Sequence, residues 1–165
     1  MAVFASLVVG SDGSTAKGGS SRGITSGVDR TAFLARRRSA DFLLIGGETA
    51  RVEPYHRTPV PVVISSRSMI NSLADNRLAH WWNLSAAEAL AKGIKKFGEN
   101  VLVESGPSII DELLLNRSLD GIYLSITSVT GGENPIDIAA LLGNFDEIDR
   151  KEVEGTQFIE AKKRK

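Results

Sequence analysis

The chain reads as a single α/β domain, a sandwich with a largely parallel central sheet. Three observations predict this. Short, wholly apolar runs at Phe42–Ile45 and Val101–Val103 have the look of strands covered on both faces. Segments with helical periodicity and capping signals lie between such runs. Strand and helix signals alternate along the chain, and no internal repeat competes with that pattern.

Taken in order, Val3 to Val9 is rich in β-branched and apolar residues and reads as a first strand, closed by the turn Gly10-Ser11-Asp12-Gly13. A glycine and serine loop runs to Gly23. A helix then begins at Thr25-Ser26, because Ser26 with Asp29 imitates a capping box and Val28, Ala32 and Ala35 recur at helical spacing; it ends near Arg38. Phe42 to Ile45 is the second strand, closed by Gly46-Gly47, and Pro61 to Ser65 the third. Residues 67 to 83 have mixed polarity and no firm period, which predicts loop and short turns. Ser85 to Glu88 is a capping box that opens a helix to Phe97, with Gly98 as its stop.

A fourth strand follows at 101 to 104. Ser105-Gly106-Pro107-Ser108 turns into a helix carrying Ile109, Ile110, Leu113 and Leu114, and Gly121 to Val129 is an alternating strand closed by Thr130-Gly131-Gly132. Residues 156 to 162 supply a last strand, and the basic tail 161–165 is expected to be a disordered, solvated end. Trp81-Trp82 reads as a packing anchor or subunit contact rather than a stacking platform.

Composition narrows the function. The 165 residues, 42% hydrophobic and 24% charged, match one packed domain that needs neither disulfide nor structural metal. Zero cysteines exclude thiol nucleophiles, thiolate zinc sites and iron–sulfur clusters, and two histidines are too few for a histidine metal centre. No metal is expected. A formal charge of zero removes the attraction that drives non-specific nucleic-acid binding. Basic residues nevertheless concentrate early, ten against six acidic in residues 1–82 and ten against fourteen in 83–165, so an anion site is expected in the first half. No charged leader and no apolar run near the roughly 18 residues of a membrane span are present, which predicts a cytoplasmic protein without membrane contact.

Two turns rich in small residues, Gly46-Gly47-Glu48-Thr49 and Ser105-Gly106-Pro107-Ser108, follow strands and open helices. Ligands bind at that edge of an open α/β sheet, and a helix N-terminus there suits a phosphate. Neither turn is a Walker loop or a G-x-G-x-x-G fingerprint.

Asp12-Gly13, then Gly19, Ser21, Gly23-Ile24-Thr25 and Asp29-Arg30, then Arg37, then Leu44 through Glu53 with Tyr55, and finally Val101 through Ser108, together resemble the reductase of bacterial riboflavin biosynthesis. That reductase is the C-terminal domain of a bifunctional deaminase-reductase, and the likeness covers about residues 3 to 132. It implies a dihydrofolate-reductase-like fold, a three-layer sandwich with a mostly parallel mixed sheet, in one reductase domain spanning 1–165. It also implies NADPH-dependent reduction of a phosphoribosyl pyrimidine, 5-amino-6-(5-phosphoribosylamino)uracil, to its ribityl form, by a homodimer.

The resemblance further implies that Gly23, Thr49 and Glu53 lie near the nicotinamide half of NADPH. Gly46 and Gly47 would form the adjacent cofactor turn, Ser66 with Arg67 would lie at the adenosine phosphate, and the turn of Gly106, Pro107, Ser108 and Ile109 would take the pyrophosphate, with Ser105 also on the cofactor. Ser21, Arg37 and Glu104 would contact substrate, with Arg37 on the ribose 5-phosphate. Asp12, Glu53, Glu104 and water are the candidate proton sources, and the catalytic residue is left open. A reductase of another pterin-like substrate and a non-catalytic nucleotide-binding module of the same fold are the alternatives. The loop Gly10–Gly13 and the acidic Glu48 depart from the family pattern. The zinc-deaminase motifs His-x-Glu and Pro-Cys-x-x-Cys are missing.

Overall fold

A computed structural model describes residues 2–165. Eight strands and five helices alternate along the chain: β1 (Ala2–Val9), α1 (Gly27–Ser39), β2 (Phe42–Gly46), α2 (Gly47–Val52), β3 (Val62–Ser65), β4 (Ala79–Trp82), α3 (Ala86–Phe97), β5 (Asn100–Val103), α4 (Pro107–Leu115), β6 (Gly121–Ile126), α5 (Ile138–Leu142), β7 (Glu147–Val153) and β8 (Thr156–Lys162). They form one sheet in the order β4-β3-β2-β5-β1-β6-β8-β7. The first six of these strands are parallel; β8 pairs antiparallel to β6, and β7 to β8.

Side-chain alternation explains the apolar runs. Phe42 and Leu44 face one core with Val101 and Val103, whereas Leu43 and Ile45 face a second core with Leu102. Helices α3, α4 and α5 cover the first core through residues such as Leu90, Leu113 and Leu142. Ala50 of α2, Tyr55 and Ala40 at the end of α1 close the second. The sheet is thus buried from both sides, as a parallel sheet requires, and the three-layer α/β sandwich expected from the sequence is the fold observed.

Capping follows the sequence signals. The Ser26 side chain accepts from Asp29 N at the start of α1, and Ser85 with Glu88 forms a complete capping box on α3.

Three expectations need correction. Residues 67 to 83 contain β4, which pairs in parallel with β3 and ends the sheet; Trp81 Nε1 donates to Ser68 O, and Lys92 Nζ lies 4.2 Å over the Trp82 ring, so both indoles are packing anchors. The basic tail is not a free end: Ala161 and Lys162 belong to β8, Lys163 N donates to Asp120 O, and Arg164 N donates to Asp146 Oδ2. The strand from Gly121, finally, whose alternation had also suggested a place near an exposed sheet edge that a second subunit would cover, is interior, flanked by β1 and β8. The edges are β4 and β7.

One offset in register positions the site. β5 pairs with β1 only from Ala2 to Ala5, while β6 follows β1 as far as Val9. Beyond Ala5 the β5 side of β1 is therefore open. Ser6, Leu7 and Val8 line a cleft there.

Candidate active site

The cleft is a cavity of about 690 Å³ at the carboxyl ends of the parallel strands, the position where open α/β sheets bind ligands and a size common for small-molecule sites. From β2 and α2 come Gly46, Gly47, Thr49 and Glu53. From the end of β3 come Ser66 and Arg67, and the turn after β5 brings Glu104 to Ile109. Ser21 and Arg37 close the wall from the glycine-serine loop and α1. Of the cofactor- and substrate-binding residues expected from the sequence, Gly23 alone is not on the wall. Its neighbour is Lys17, whose carbonyl oxygen a Cβ at Gly23 would strike, so this glycine allows a close approach within the loop.

The two glycine-rich turns touch each other. A Cβ at Gly46 would lie 2.7 Å from Ile109 Cδ1 and 3.3 Å from Ser105 Oγ, and Gly46 N donates to that Ser105 oxygen at 3.1 Å. These small residues are what lets the α2 and α4 turns converge. Gly106 caps α4 with Pro107 at its first position, so the N–H groups of the next residues open toward the cavity without an intrahelical partner.

At the centre of the wall is a buried polar cluster. Arg37 Nε donates to both Glu104 oxygens, at 3.0 and 2.9 Å, and Arg37 Nη2 lies 2.9 Å from Glu104 Oε1. The Tyr55 hydroxyl donates to the same Oε1 at 2.9 Å, and the Arg37 guanidinium sits between the Phe33 and Tyr55 rings, 4.5 and 4.9 Å from their centroids. Burial pushes the Glu104 carboxyl above its ordinary range, and the hydrogen bonds from Arg37 and Tyr55 pull it back. Burial also works against the Arg37 charge, but Glu104 outweighs it and holds the guanidinium protonated more firmly than usual. Burial, then the Glu104 charge, keeps the Tyr55 phenol far from ionising. Arg37 thus arrives at the cavity with its charge already matched by a carboxylate. The sequence expectation made it a phosphate grip and did not foresee this partner.

The arginine run resolves into three environments. Arg37 is buried, Arg36 stacks 4.4 Å over the Tyr123 ring in a separate shallow groove, and Arg38 is exposed. Arg30, Phe33 and Arg37 share the cavity-facing side of α1, a spacing of three and four that was readable in the sequence. Tyr55 and Arg51 were legible only as motif letters. Their roles depend on what the fold places beside them.

Of the candidate proton sources, Asp12 is excluded from the site. It is not on the cavity wall, and it accepts from Ser14 Oγ, Ser14 N and Gly131 N at 2.7, 3.1 and 2.8 Å. Those bonds, Ser14 Oγ first, lower its pKa to about 2, so it has no proton to give at neutral pH. Glu53 lines the cavity but accepts from Ser21 N at 2.9 Å and from Ser20 Oγ, tying the glycine-serine loop to the end of α2. Among the described residues, no group of three or more His, Asp or Glu could hold a metal ion. No described helix is long and apolar enough to cross a membrane.

Residues 2–140 match the family model of the RibD C-terminal domain. The chain belongs to that family. Solved structures similar to this RibD C-terminal domain include the Thermotoga maritima diaminohydroxyphosphoribosylaminopyrimidine deaminase/5-amino-6-(5-phosphoribosylamino)uracil reductase, at 14% identity over 98% of this chain and 56% of that one, TM-score 0.73. Acinetobacter baumannii RibD is similar at 15% identity, over 99% of this chain and 58% of that one, TM-score 0.72. A pyrimidine reductase-like protein from Corynebacterium diphtheriae aligns at 16% identity, 98% and 91% coverage, TM-score 0.70. No curated protein matches the chain. The RibD C-terminal domain described here spans little more than half the length of the first two structures, and at these identities the likeness establishes the fold.

Proposed function

We propose that the protein is an NADPH-dependent reductase of a phosphoribosylaminopyrimidine, with 5-amino-6-(5-phosphoribosylamino)uracil as substrate. The observation that carries this reading is the convergence, on one cavity in a RibD C-terminal domain, of the α4 turn, the Gly46-Gly47 turn and the Arg37–Glu104 pair. The α4 turn fits a pyrophosphate, since Gly106 leaves open space where a Cβ would stand and the following N–H groups face the cavity. Ser66 and Arg67, at the end of β3, fit the phosphate of the adenosine half. Glu53, which holds the Ser20–Ser21 loop, and Thr49, one turn before it, belong to the nicotinamide end.

The cofactor, when bound, supplies the hydride that turns the ribosyl group into ribityl. The chain's own residues bind, orient and exclude water. Glu104 Oε1 is filled by Arg37 and Tyr55, whereas Oε2 accepts only from Arg37 Nε and keeps lone-pair capacity for a substrate N–H or hydroxyl. Arg37 lines the same cavity beside it. Ser21, its backbone fixed by Glu53, lines the same cavity. We propose a homodimer and a cytoplasmic location as well. With β6 inside the sheet, the dimer is supported by the family resemblance alone.

The test is turnover. Incubation with NADPH and the pyrimidine should consume the nicotinamide absorbance with formation of the ribityl product. Tight NADPH binding without oxidation would identify a nucleotide-binding module instead, and oxidation only with a pterin would move the substrate assignment.

A further inference from the structure

Ser66 is nine-tenths buried at the end of β3, next to the turn that opens α2. Gly46 and Ser65 are register partners, so Gly47 and Ser66 leave their strands side by side. Gly47 has no side chain, and the space a Cβ would fill is bounded by two polar atoms, Ser66 Oγ at 2.5 Å and Arg51 Nη1 at 3.2 Å. Arg51 reaches this point because residues four apart on a helix stack on one face, and its side chain leans toward the helix start. A hydroxyl and a guanidinium thus converge on one point of the cavity wall.

Both groups have capacity to spare. Ser66 Oγ accepts from Ser68 N at 3.1 Å, which leaves its own proton free to donate. Among the described residues Arg51 makes no ion pair, in contrast to Arg37, whose charge is matched by Glu104. Glu48 lines the cavity nearby and opposes an anion, and Arg67, next to Ser66, favours one. The balance at this end is therefore two arginines against one carboxylate. A planar guanidinium fork matches phosphate oxygens, and an added hydroxyl donor completes a site for a terminal phosphate.

We propose that Arg51, together with Ser66, is the principal reader of the cofactor's 2′-phosphate, and so the residue that sets NADPH over NADH. Arg67 is a flanking charge. The sequence reading had placed this role on Ser66 and Arg67, so the assignment rests on the NADPH reading above and adds the residue that decides it.

The test is calorimetric binding of 2′,5′-ADP and of 5′-AMP, which differ in that phosphate, to the parent and to Arg51→Ala, Arg51→Lys and Arg67→Ala. Arg51 is exposed, so these variants should keep the parent's thermal midpoint. Arg51→Ala should weaken 2′,5′-ADP by about tenfold to a hundredfold, the usual size of a charge-assisted contact, and change 5′-AMP by less than about twofold. Arg51→Lys should recover part of the loss, and Arg67→Ala should cost less than about threefold. A parent that prefers 2′,5′-ADP with an Arg51→Ala variant that keeps the preference would overturn this assignment and leave the reductase reading intact. Equal losses for both nucleotides would overturn it too. A parent that binds neither NADPH nor 2′,5′-ADP would remove the cofactor reading, and this one with it.

Discussion

Replacing Glu104 by alanine isolates the energetics of the cavity's central pair. The Glu104 side chain is 1% exposed and that of Arg37 10%, so removing the carboxylate strands a guanidinium that has lost three contacts and a phenol that has lost its 2.9 Å acceptor. Breaking a buried pair from one side costs about 3 to 5 kcal/mol. The pair borders a cavity of about 690 Å³ that admits water to the exposed edge of Arg37, which selects the lower end, about 3 kcal/mol. For a chain of this size each kcal/mol moves the thermal midpoint by about 2 to 4 °C, so Glu104→Ala should melt about 6 to 12 °C lower. The double variant Arg37→Leu, Glu104→Leu removes both charges and should recover most of that loss, because a well-packed apolar pair replaces a buried ion pair at little cost. Thermal denaturation followed by circular dichroism reads both. A fall under about 2 °C for Glu104→Ala, or a double variant no better than the single, would show that Glu104 is not what makes the Arg37 charge tolerable.

Other outcomes follow from single features. Asp12, with its pKa lowered to about 2 from an ordinary 3.8 by Ser14 and Gly131, adds stability that is present above the ordinary value and lost as the pH falls toward about 2. Asp12→Asn should therefore be less stable than the parent at neutral pH, with the gap closing through that acid window in urea titrations at several pH values. Gly93 of α3 faces Phe42, whose Cζ would lie 2.5 Å from an added Cβ, so Gly93→Ala should destabilise by about 1 to 3 kcal/mol despite its better helix propensity; a more stable variant in denaturant unfolding would contradict that packing. Sedimentation at micromolar concentration should show a dimer, and a monomer there would refute the quaternary proposal.

What the sequence disclosed depended on burial. Strands β2, β3 and β5 are enclosed on both faces and announce themselves as apolar runs, and Ser26 and Ser85 mark helix starts because capping is local chemistry. β4 was unreadable because Ala79, His80, Trp81 and Trp82 are all half-buried at a sheet edge and give no alternation. β7 was missed for a sharper reason: all seven of its residues are exposed and five are charged, so only its hydrogen bonds to β8 make it a strand. In the site, turn residues and Arg37 could be picked out by motif and spacing. The Glu104 and Tyr55 partners of Arg37 could not, because Glu104 lies 67 residues from Arg37 and 49 from Tyr55 along the chain, brought together by the fold alone.

The central place of β1 also dictates an order of assembly. Its neighbours are β5, beginning with Asn100 opposite Ala2, and β6, just before which Asp120 Oδ2 accepts from Val3 N at a separation of 117 residues. Made well before both neighbours, this strand has no lateral partner until β5 and β6 have been synthesised, and closing loops of that size is entropically slow. The opening between β1 and β5 exists only after both β5 and β6 have docked on β1, so nucleotide capture should be among the last properties gained in refolding. A bound nucleotide would accordingly report a finished molecule, and the stretch from Val3 to Val9 is a segment that nascent chains need to keep from one another.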